Sequence, residues 1–263
     1  VAMLCGNNRY FVVGYLAVVG LGAVVVPLNP ASPAHEIERE LAAVEPAAVL
    51  VGPAAMGEWR RVDRAVVPSV RVVITAEGDL DGAVALDELL AHEEHPVFDV
   101  APDHLAALMF TSGTAGPPRA AMLSHGNLLS NIQQSLTTPD RTVPGDVVYG
   151  VLPLFHIFGL NVVLGVTFTV GATVLLVQRF DPATAAESIA QRDVTIVPGA
   201  PPMWIAFAHF DELPADSFRT VRLALSGASR LSPAVAERFE ERFGVAVREG
   251  YGLTEASPVV TSS

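Results

Sequence analysis

The stretch Leu108-Met109-Phe110-Thr111-Ser112-Gly113-Thr114-Ala115-Gly116-Pro117-Pro118-Arg119 places hydroxyls, glycines and a cation directly behind an apolar run. Glycines let a backbone approach an anion closely, successive N–H groups and Thr/Ser hydroxyls donate to phosphate oxygens, and Arg119 adds a fixed charge. The spacing differs from the common phosphate loop, which runs Gly, four residues, then Gly-Lys-Ser/Thr at the mouth of a helix. By composition alone the stretch reads equally well as an ordinary Ser/Gly-rich surface turn. A second stretch, Glu249-Gly250-Tyr251-Gly252-Leu253-Thr254-Glu255-Ala256-Ser257-Pro258, joins an aromatic ring, flexible glycines, a hydroxyl and an acid. Tyrosine can stack on a purine, threonine can donate to a phosphate, and glutamate is a hard-oxygen ligand suited to Mg²⁺. The plain alternative is a turn carrying a solvated acid. In Pro153-Leu154-Phe155-His156-Ile157-Phe158-Gly159-Leu160-Asn161, His156 stands in an apolar strand-to-helix turn. Taken by itself, a histidine there is more often a satisfied core residue than a catalytic one.

These residues need elements to hold them, and helical and strand-like patterns alternate through the chain, as in an α/β layer architecture with a mostly parallel sheet. Leu105 to Phe110 reads as a strand feeding the Gly-rich turn, and His125 to Leu136 as a helix. Further strands are expected at 23–27, 47–51, 70–75, 147–152, 194–197 and 221–225, with β-branched residues clustering again around 173–177. Ser32 is expected to cap a helix through Val44 with Pro33 in its first turn, Asp181 to cap 182–191, and Ser232 to cap 233–243. Pro201-Pro202-Met203-Trp204 reads as a turn, and with the apolar run from Gly159 it fits either a greasy pocket wall or plain core. An acidic segment with two prolines between His92 and Pro102 is the expected connection between a first αβ subdomain, 1–98, and a second, 99–263.

Two uncharged runs, Phe11 to Leu28 and Ile157 to Gln178, approach the length of a membrane span. In the first, Asn7 and Asn8 offer helix caps and Gly20 and Gly22 bracket Leu21; in the second, Gly165 and Gly171 interrupt the run. Both therefore read as buried αβ units, not spans. Hydrophobic residues make up 51% of the 263 and charged residues 17%, so a packed core is expected. A formal charge of −12 without a long Arg run argues against a nucleic-acid surface. All 16 basic residues are Arg, so chemistry requiring a lysine ammonium cannot be completed by these residues. Cys5 stands alone, which excludes an intrachain disulfide and a cysteine metal cluster and fits a reducing, cytoplasmic setting. Val1 is followed by no basic n-region and cleavage site, so no signal peptide is expected.

The run from Thr111 to Arg119 closely resembles the phosphate loop of the adenylate-forming (AMP-binding) superfamily, which includes acyl-CoA synthetases, luciferases and nonribosomal adenylation domains. The resemblance extends from Asn7 to Ser263 and implies the large N-terminal domain of such an enzyme, with layered sheets and flanking helices. It implies that Thr111, Ser112, Gly113, Thr114, Gly116 and Arg119 hold the β- and γ-phosphates of ATP. The family usually has Thr, Lys and Gly where Ala115, Arg119 and Ala120 stand, and Arg keeps the charge but not the reach of Lys.

The segment from Glu249 resembles the family's second motif. By that likeness Tyr251 and Gly252 contact adenine, with Glu249 and Gly250 leading into the nucleotide site; Thr254 meets the α-phosphate and Glu255 binds Mg²⁺. Leu225 to Pro233 is similar to the strand-turn-helix that sets Gly227 and Ala228 beside the adenine and acyl sites. His156 matches acyl-CoA ligases, where this histidine lies at the meeting of the acyl group and the pantetheine tunnel. Amino-acid-activating domains tend to carry an aspartate there, so a substrate without an α-amine is implied. His125 falls within the first motif and reads as structural.

The implied reaction joins a carboxylic acid, a fatty acid first among candidates, to ATP as acyl-AMP and then to coenzyme A. Passage to a carrier-protein thiol, or a noncatalytic nucleotide-binding relative, are the alternatives. In the family, a ribose-binding aspartate, a hinge and a mobile domain with the adenylation lysine follow the second motif. This chain is therefore expected to be a weak or inactive catalyst by itself.

Overall fold

The computed structural model describes residues 1–111 and 117–262. Contacts divide the chain into two units, Val1–Asn127 and Leu128–Ser263. The acidic connection over 92–102 thus lies inside the first unit, and the division falls within a helix.

In the first unit, β1 (Ala2–Leu4), α1 (Arg9–Gly20), β2 (Val26–Pro27), α2 (Ala34–Val44), β3 (Ala48–Val51), α3 (Met56–Trp59), β4 (Val72–Thr75), β5 (Val84–Ala85) and α4 (Leu86–Leu89) follow in order. The strands make one parallel sheet, β2-β1-β3-β4-β5. Short apolar runs suit its buried centre, where Ala2, Leu4, Val49 and Val51 are buried together. Helix α1 starts where Asn8 Oδ1 accepts the N–H groups of Tyr10 and Phe11, each at 3.1 Å. Helix α2 turns Ile37 and Leu41, four residues apart, into this core.

Two local expectations change. Ser32 is buried and does not cap α2; extended Pro33 takes the N-cap position, without a side-chain bond. Glu58 Oε2 reaches across instead to accept the Ala34 N–H at 2.9 Å. The strand expected over 23–27 is also shorter, because Val25 leaves the sheet to bridge Ala107. Its N–H donates to Ala106 O and its carbonyl accepts from Leu108 N, both at 2.9 Å. Those partners lie on β6 (Leu105–Thr111), which pairs antiparallel with β7 (Arg119–Ser124), after which α5 (His125–Ser135) begins.

The second unit carries β8 (Val147–Gly150), a π-helix (Phe158–Gly165), α6 (Val166–Val170), β9 (Thr173–Leu176), α7 (Pro182–Gln191), β10 (Ile196–Gly199), α8 (Pro201–His209), β11 (Leu223–Ser226), α9 (Pro233–Phe243), β12 (Val247–Gly252) and β13 (Val259–Ser262). Its sheet runs β13-β12-β11-β10-β8-β9, parallel except for the β12–β13 pair. Parallel strands covered by helices are the architecture that alternating patterns imply.

The Pro201–Trp204 stretch opens helix α8 and is not a turn, since proline is favoured in the first helical turn where its missing N–H is harmless. Trp204 and Phe207 of α8 pack with Phe218, Phe239 and Phe243; the Phe207–Phe218 and Phe218–Phe239 ring centroids are both 4.9 Å apart. This edge-to-face cluster is the heart of the second core. Asp181 caps α7 as expected, accepting the Thr184 N–H at 2.9 Å. Ser232 occupies the α9 N-cap position but makes no side-chain cap bond. Among the described residues no helix is long and apolar enough to cross a membrane.

Candidate active site

In the first unit, the hydroxyl- and glycine-rich stretch is carried by the β6–β7 hairpin, whose register ends with Thr111 opposite Arg119. Thr111 Oγ1 and the Arg119 carbonyl are 3.5 Å apart, and the Arg119 residue is exposed. Among the described residues Arg119 makes no ion pair. Ser112, Gly113, Thr114 and Gly116, with Ala115, lie outside the described residues. Beyond β7, the His125 N–H donates to the His104 carbonyl at 3.0 Å, and the two rings stand 6.0 Å apart. Burial, and then His104, lower the His125 pKa, so its ring is neutral near pH 7.

In the second unit, the chemistry-bearing turns follow the carboxyl ends of the parallel strands β8, β11 and β12, the edge where open α/β sheets bind ligands. After β8, the His156 N–H donates to the Pro153 carbonyl at 3.0 Å. The Phe158 N–H in turn donates to His156 Nδ1 at 3.2 Å, which assigns the proton of the neutral ring to Nε2. Desolvation by the surrounding turn lowers the His156 pKa although the residue is exposed. The Phe158 ring then lies against Gly227, where a Cβ would come 2.6 Å from Phe158 Cε1. The turns after β8 and β11 are thus packed together, and only glycine fits at 227 without moving the ring.

Ser226 ends β11 opposite Glu249 of β12, and its buried Oγ has no hydrogen-bond partner among the described residues. Ala228, exposed, holds a left-handed backbone at φ 70°. L side chains rarely adopt that conformation, and such residues cluster where surrounding structure imposes them at functional sites. Glu249 Oε1 accepts the Leu231 N–H at 2.7 Å, tying the loop after β11 to β12. Tyr251 is 59% exposed, and Thr254–Ala256 form a single 3₁₀ turn with Glu255 exposed. Gly252 permits the hairpin closure that follows, since a Cβ there would lie 2.5 Å from Pro258 O.

Asn131 of α5 and Asn161 of the π-helix escaped sequence reasoning as site residues. Both are buried and bond to the backbone just past Glu255. A readable signal existed for Asn131: it interrupts the apolar face of α5 between the buried Leu128 and Ile132.

Glu255 is the one acid in this turn, and among the described residues no group of three His, Cys, Asp or Glu side chains converges to hold a metal. A lone exposed carboxylate suits Mg²⁺ that arrives on a nucleotide, because Mg²⁺ is commonly bound by one or two carboxylates together with substrate phosphates and waters.

The chain matches the AMP-binding enzyme family over residues 1–263 and belongs to it. It is 33% identical to 4-coumarate–CoA ligase 1 of Oryza sativa subsp. japonica, over 99% of this chain and 48% of that protein. It is 29% identical to the long-chain-fatty-acid–CoA ligase of Bacillus subtilis (strain 168), over 98% of this chain and 51% of that one. The crystal structure of ATP-bound MatB from Rhodopseudomonas palustris superposes with a TM-score of 0.86 at 30% identity, covering 100% of this chain and 51% of the other. The chain spans about half the length of the curated relatives it matches. Its α/β fold is that of the N-terminal domains of adenylate-forming enzymes.

Proposed function

We propose that this chain supplies the nucleotide- and acid-activating part of an AMP-forming carboxylate:CoA ligase. The observation that carries the reading is the turn after β12, which leaves Tyr251 and Glu255 exposed and Thr254 half-buried at the carboxyl end of a parallel strand. In this reading Tyr251 stacks on adenine beside Gly252, with Glu249 and Gly250 shaping the approach. Thr254 donates to the α-phosphate, Gly227 and Ala228 border the adenine and acyl groups, and Glu255 holds Mg²⁺. Thr111, Ser112, Gly113, Thr114, Gly116 and Arg119 hold the β- and γ-phosphates. Bound Mg²⁺ would neutralise charge on the triphosphate.

The substrate carboxylate attacks the α-phosphorus, giving acyl-AMP and pyrophosphate; the coenzyme A thiol then attacks the acyl carbon and releases AMP. A carboxylate is a poor acyl donor until its oxygen becomes part of a phosphate leaving group, so positioning and fixed charge at the phosphates carry the catalysis. His156, neutral and set in the turn packed against Gly227, borders the acyl and thiol path. A histidine there, in place of a carboxylate, favours an acid without an α-amine. A fatty acid remains the first candidate, and 4-coumarate joins it because ligases for both acids are among the relatives. A reducing, cytoplasmic setting is proposed from the lone, buried Cys5.

The test is product analysis with the gene at its natural length, using ATP, Mg²⁺, fatty acids, 4-coumarate and amino acids. AMP, pyrophosphate and an acyl-CoA formed from a fatty acid or 4-coumarate are expected. Acyl-AMP that reacts with a carrier-protein thiol but not with coenzyme A would reassign the acceptor. ATP binding without any acyl product would replace the reading with that of a noncatalytic relative.

A further inference from the structure

We propose that Asn131 and Asn161 are positioning residues that fix Thr254 and Glu255 through the backbone of residues 256–259; the inference rests on the nucleotide role just proposed for that turn. Asn131 is 4% exposed and Asn161 2%, so both amides have left water. Asn131 Nδ2 donates to Val259 O at 2.8 Å and to Ala256 O at 3.3 Å, while its Oδ1 accepts the Val259 N–H at 3.3 Å. Asn161 Nδ2 donates to Ser257 O at 2.7 Å and to Leu128 O at 3.1 Å. Two asparagines from separate helices therefore converge on one run of backbone, and one of them also ties that run to α5.

The arrangement does more than fill space. Leucine or isoleucine at either site would satisfy packing, whereas a buried amide is tolerated only when its polar atoms are paired. Both side chains direct their pairing to the segment immediately after Glu255. The turn itself is held by little: Ala256 N to Leu253 O at 3.0 Å, Ser257 N to Thr254 O at 3.2 Å and Leu253 N to Pro258 O at 3.0 Å. Among the described residues, no hydrogen bond or ion pair anchors the side chains of Thr254 or Glu255. Their locations are inherited from the flanking backbone, and the asparagines are what fix it. Asparagine is needed because the targets are mainly carbonyls, which require N–H donors; aspartate would set an acceptor against them. The π-helical turn carrying Asn161 is a device that often appears in helices at functional sites.

The experiment uses the protein at its natural length and compares wild type with Asn131→Ala, Asn161→Ala and the milder Asn131→Ser, which retains a hydroxyl donor. Amide hydrogen exchange over 254–259, without nucleotide, is read beside the Mg²⁺ dependence of ATP–pyrophosphate exchange. The proposal expects exchange in this segment at least about tenfold faster in the alanine variants. It also expects the Mg²⁺ concentration for half-maximal activity to rise about 10- to 100-fold, as for residues that orient a metal ligand. The KM for the carboxylate should not change, and Asn131→Ser should fall between. Unaltered amide exchange would overturn the proposal, as would a loosened segment with unaltered Mg²⁺ dependence. If the wild type supports no pyrophosphate exchange with any acid, the functional reading fails separately. Titration with Mg·ATP, which needs no turnover, then decides the positioning role: an unaltered Kd overturns it and an about tenfold rise upholds it.

Discussion

Glu249 Oε1 accepts the backbone N–H of Leu231 at 2.7 Å, so the acid that opens the second motif secures the loop carrying Gly227 and Ala228. A charged acceptor on a backbone amide is among the stronger hydrogen bonds a side chain can make. The nucleotide-binding role proposed for Glu249 would then act partly through this tether. Glu249→Ala is expected to raise the KM for ATP about tenfold, the equivalent of roughly 1.4 kcal/mol. Glu249→Gln, which keeps an acceptor oxygen, should recover most of that loss. Equal effects from both substitutions would place the requirement on the charge itself.

His156 should matter after adenylation and not before it. His156→Ala is expected to leave pyrophosphate release within a few-fold of wild type while slowing thioester formation by about 10²-fold, the scale of a misplaced reacting group. Because desolvation lowers its pKa, the wild-type imidazole stays neutral as pH falls to its ordinary value of 6.5. Thioester formation should therefore hold down to that pH. Wild-type partitioning in the variant would leave His156 a purely structural residue.

Asp146 is 3% exposed and accepts hydrogen bonds from the Arg222 guanidinium, from Thr195 Oγ1 at 2.8 Å and from the Val143 N–H at 2.7 Å. Burial by itself would raise its pKa, but these donors together bring it below the ordinary 3.8. The folded state thus favours the carboxylate. That stability is fully present above pH 3.8 and is lost as pH falls through the lower folded value. Asp146→Ala leaves the guanidinium without its main partner and should cost about 3 kcal/mol. In a thermal melt this is roughly 6–12 °C. A change under 2 °C, at most about 1 kcal/mol, would contradict the assignment.

Legibility followed local physics. Helices with strong end signals were readable: Asn8 and Asp181 mark boundaries by side-chain bonds to the first-turn N–H groups. The cap expected of Ser32 failed because a distant acid, Glu58, took the Ala34 N–H, and sequence spacing does not reveal such a partner. Trp204 looked like part of a turn because two prolines precede it, yet proline at a helix start and in a turn look alike until packing decides. Strand Ile196–Gly199 begins two residues later than the apolar run around Val194, because Val194 is already committed to closing helix α7 by donating to Ile189 O. At the candidate site, the residue types of the Tyr251–Glu255 turn were legible. The supports from Glu249 to Leu231 and from the asparagines were not, since each joins residues well separated in sequence.

Glu40 offers a test of opposite sign. Partial burial, and then repulsion from Glu36, raise its pKa from 4.5 to about 7, and its buried Oε2 has no hydrogen-bond partner among the described residues. The fold favours the protonated acid, so its contribution is fully present below pH 4.5 and is lost as pH rises toward 7. Glu40→Gln should match wild type near pH 4.5 and raise the melting temperature at pH 8 by a few degrees, roughly 2–4 °C. A lower melting temperature at pH 8 would show that the ionised acid is stabilising.

The most direct measurement is carboxylate-dependent ATP–pyrophosphate exchange by the natural-length protein, with Glu255→Ala beside it. Mg²⁺-dependent exchange with a fatty acid or 4-coumarate is expected, with weak or no exchange with amino acids and a loss of about 10²–10³-fold in the variant. No exchange with any acid by a folded protein that binds ATP, or undiminished exchange by Glu255→Ala, would contradict it.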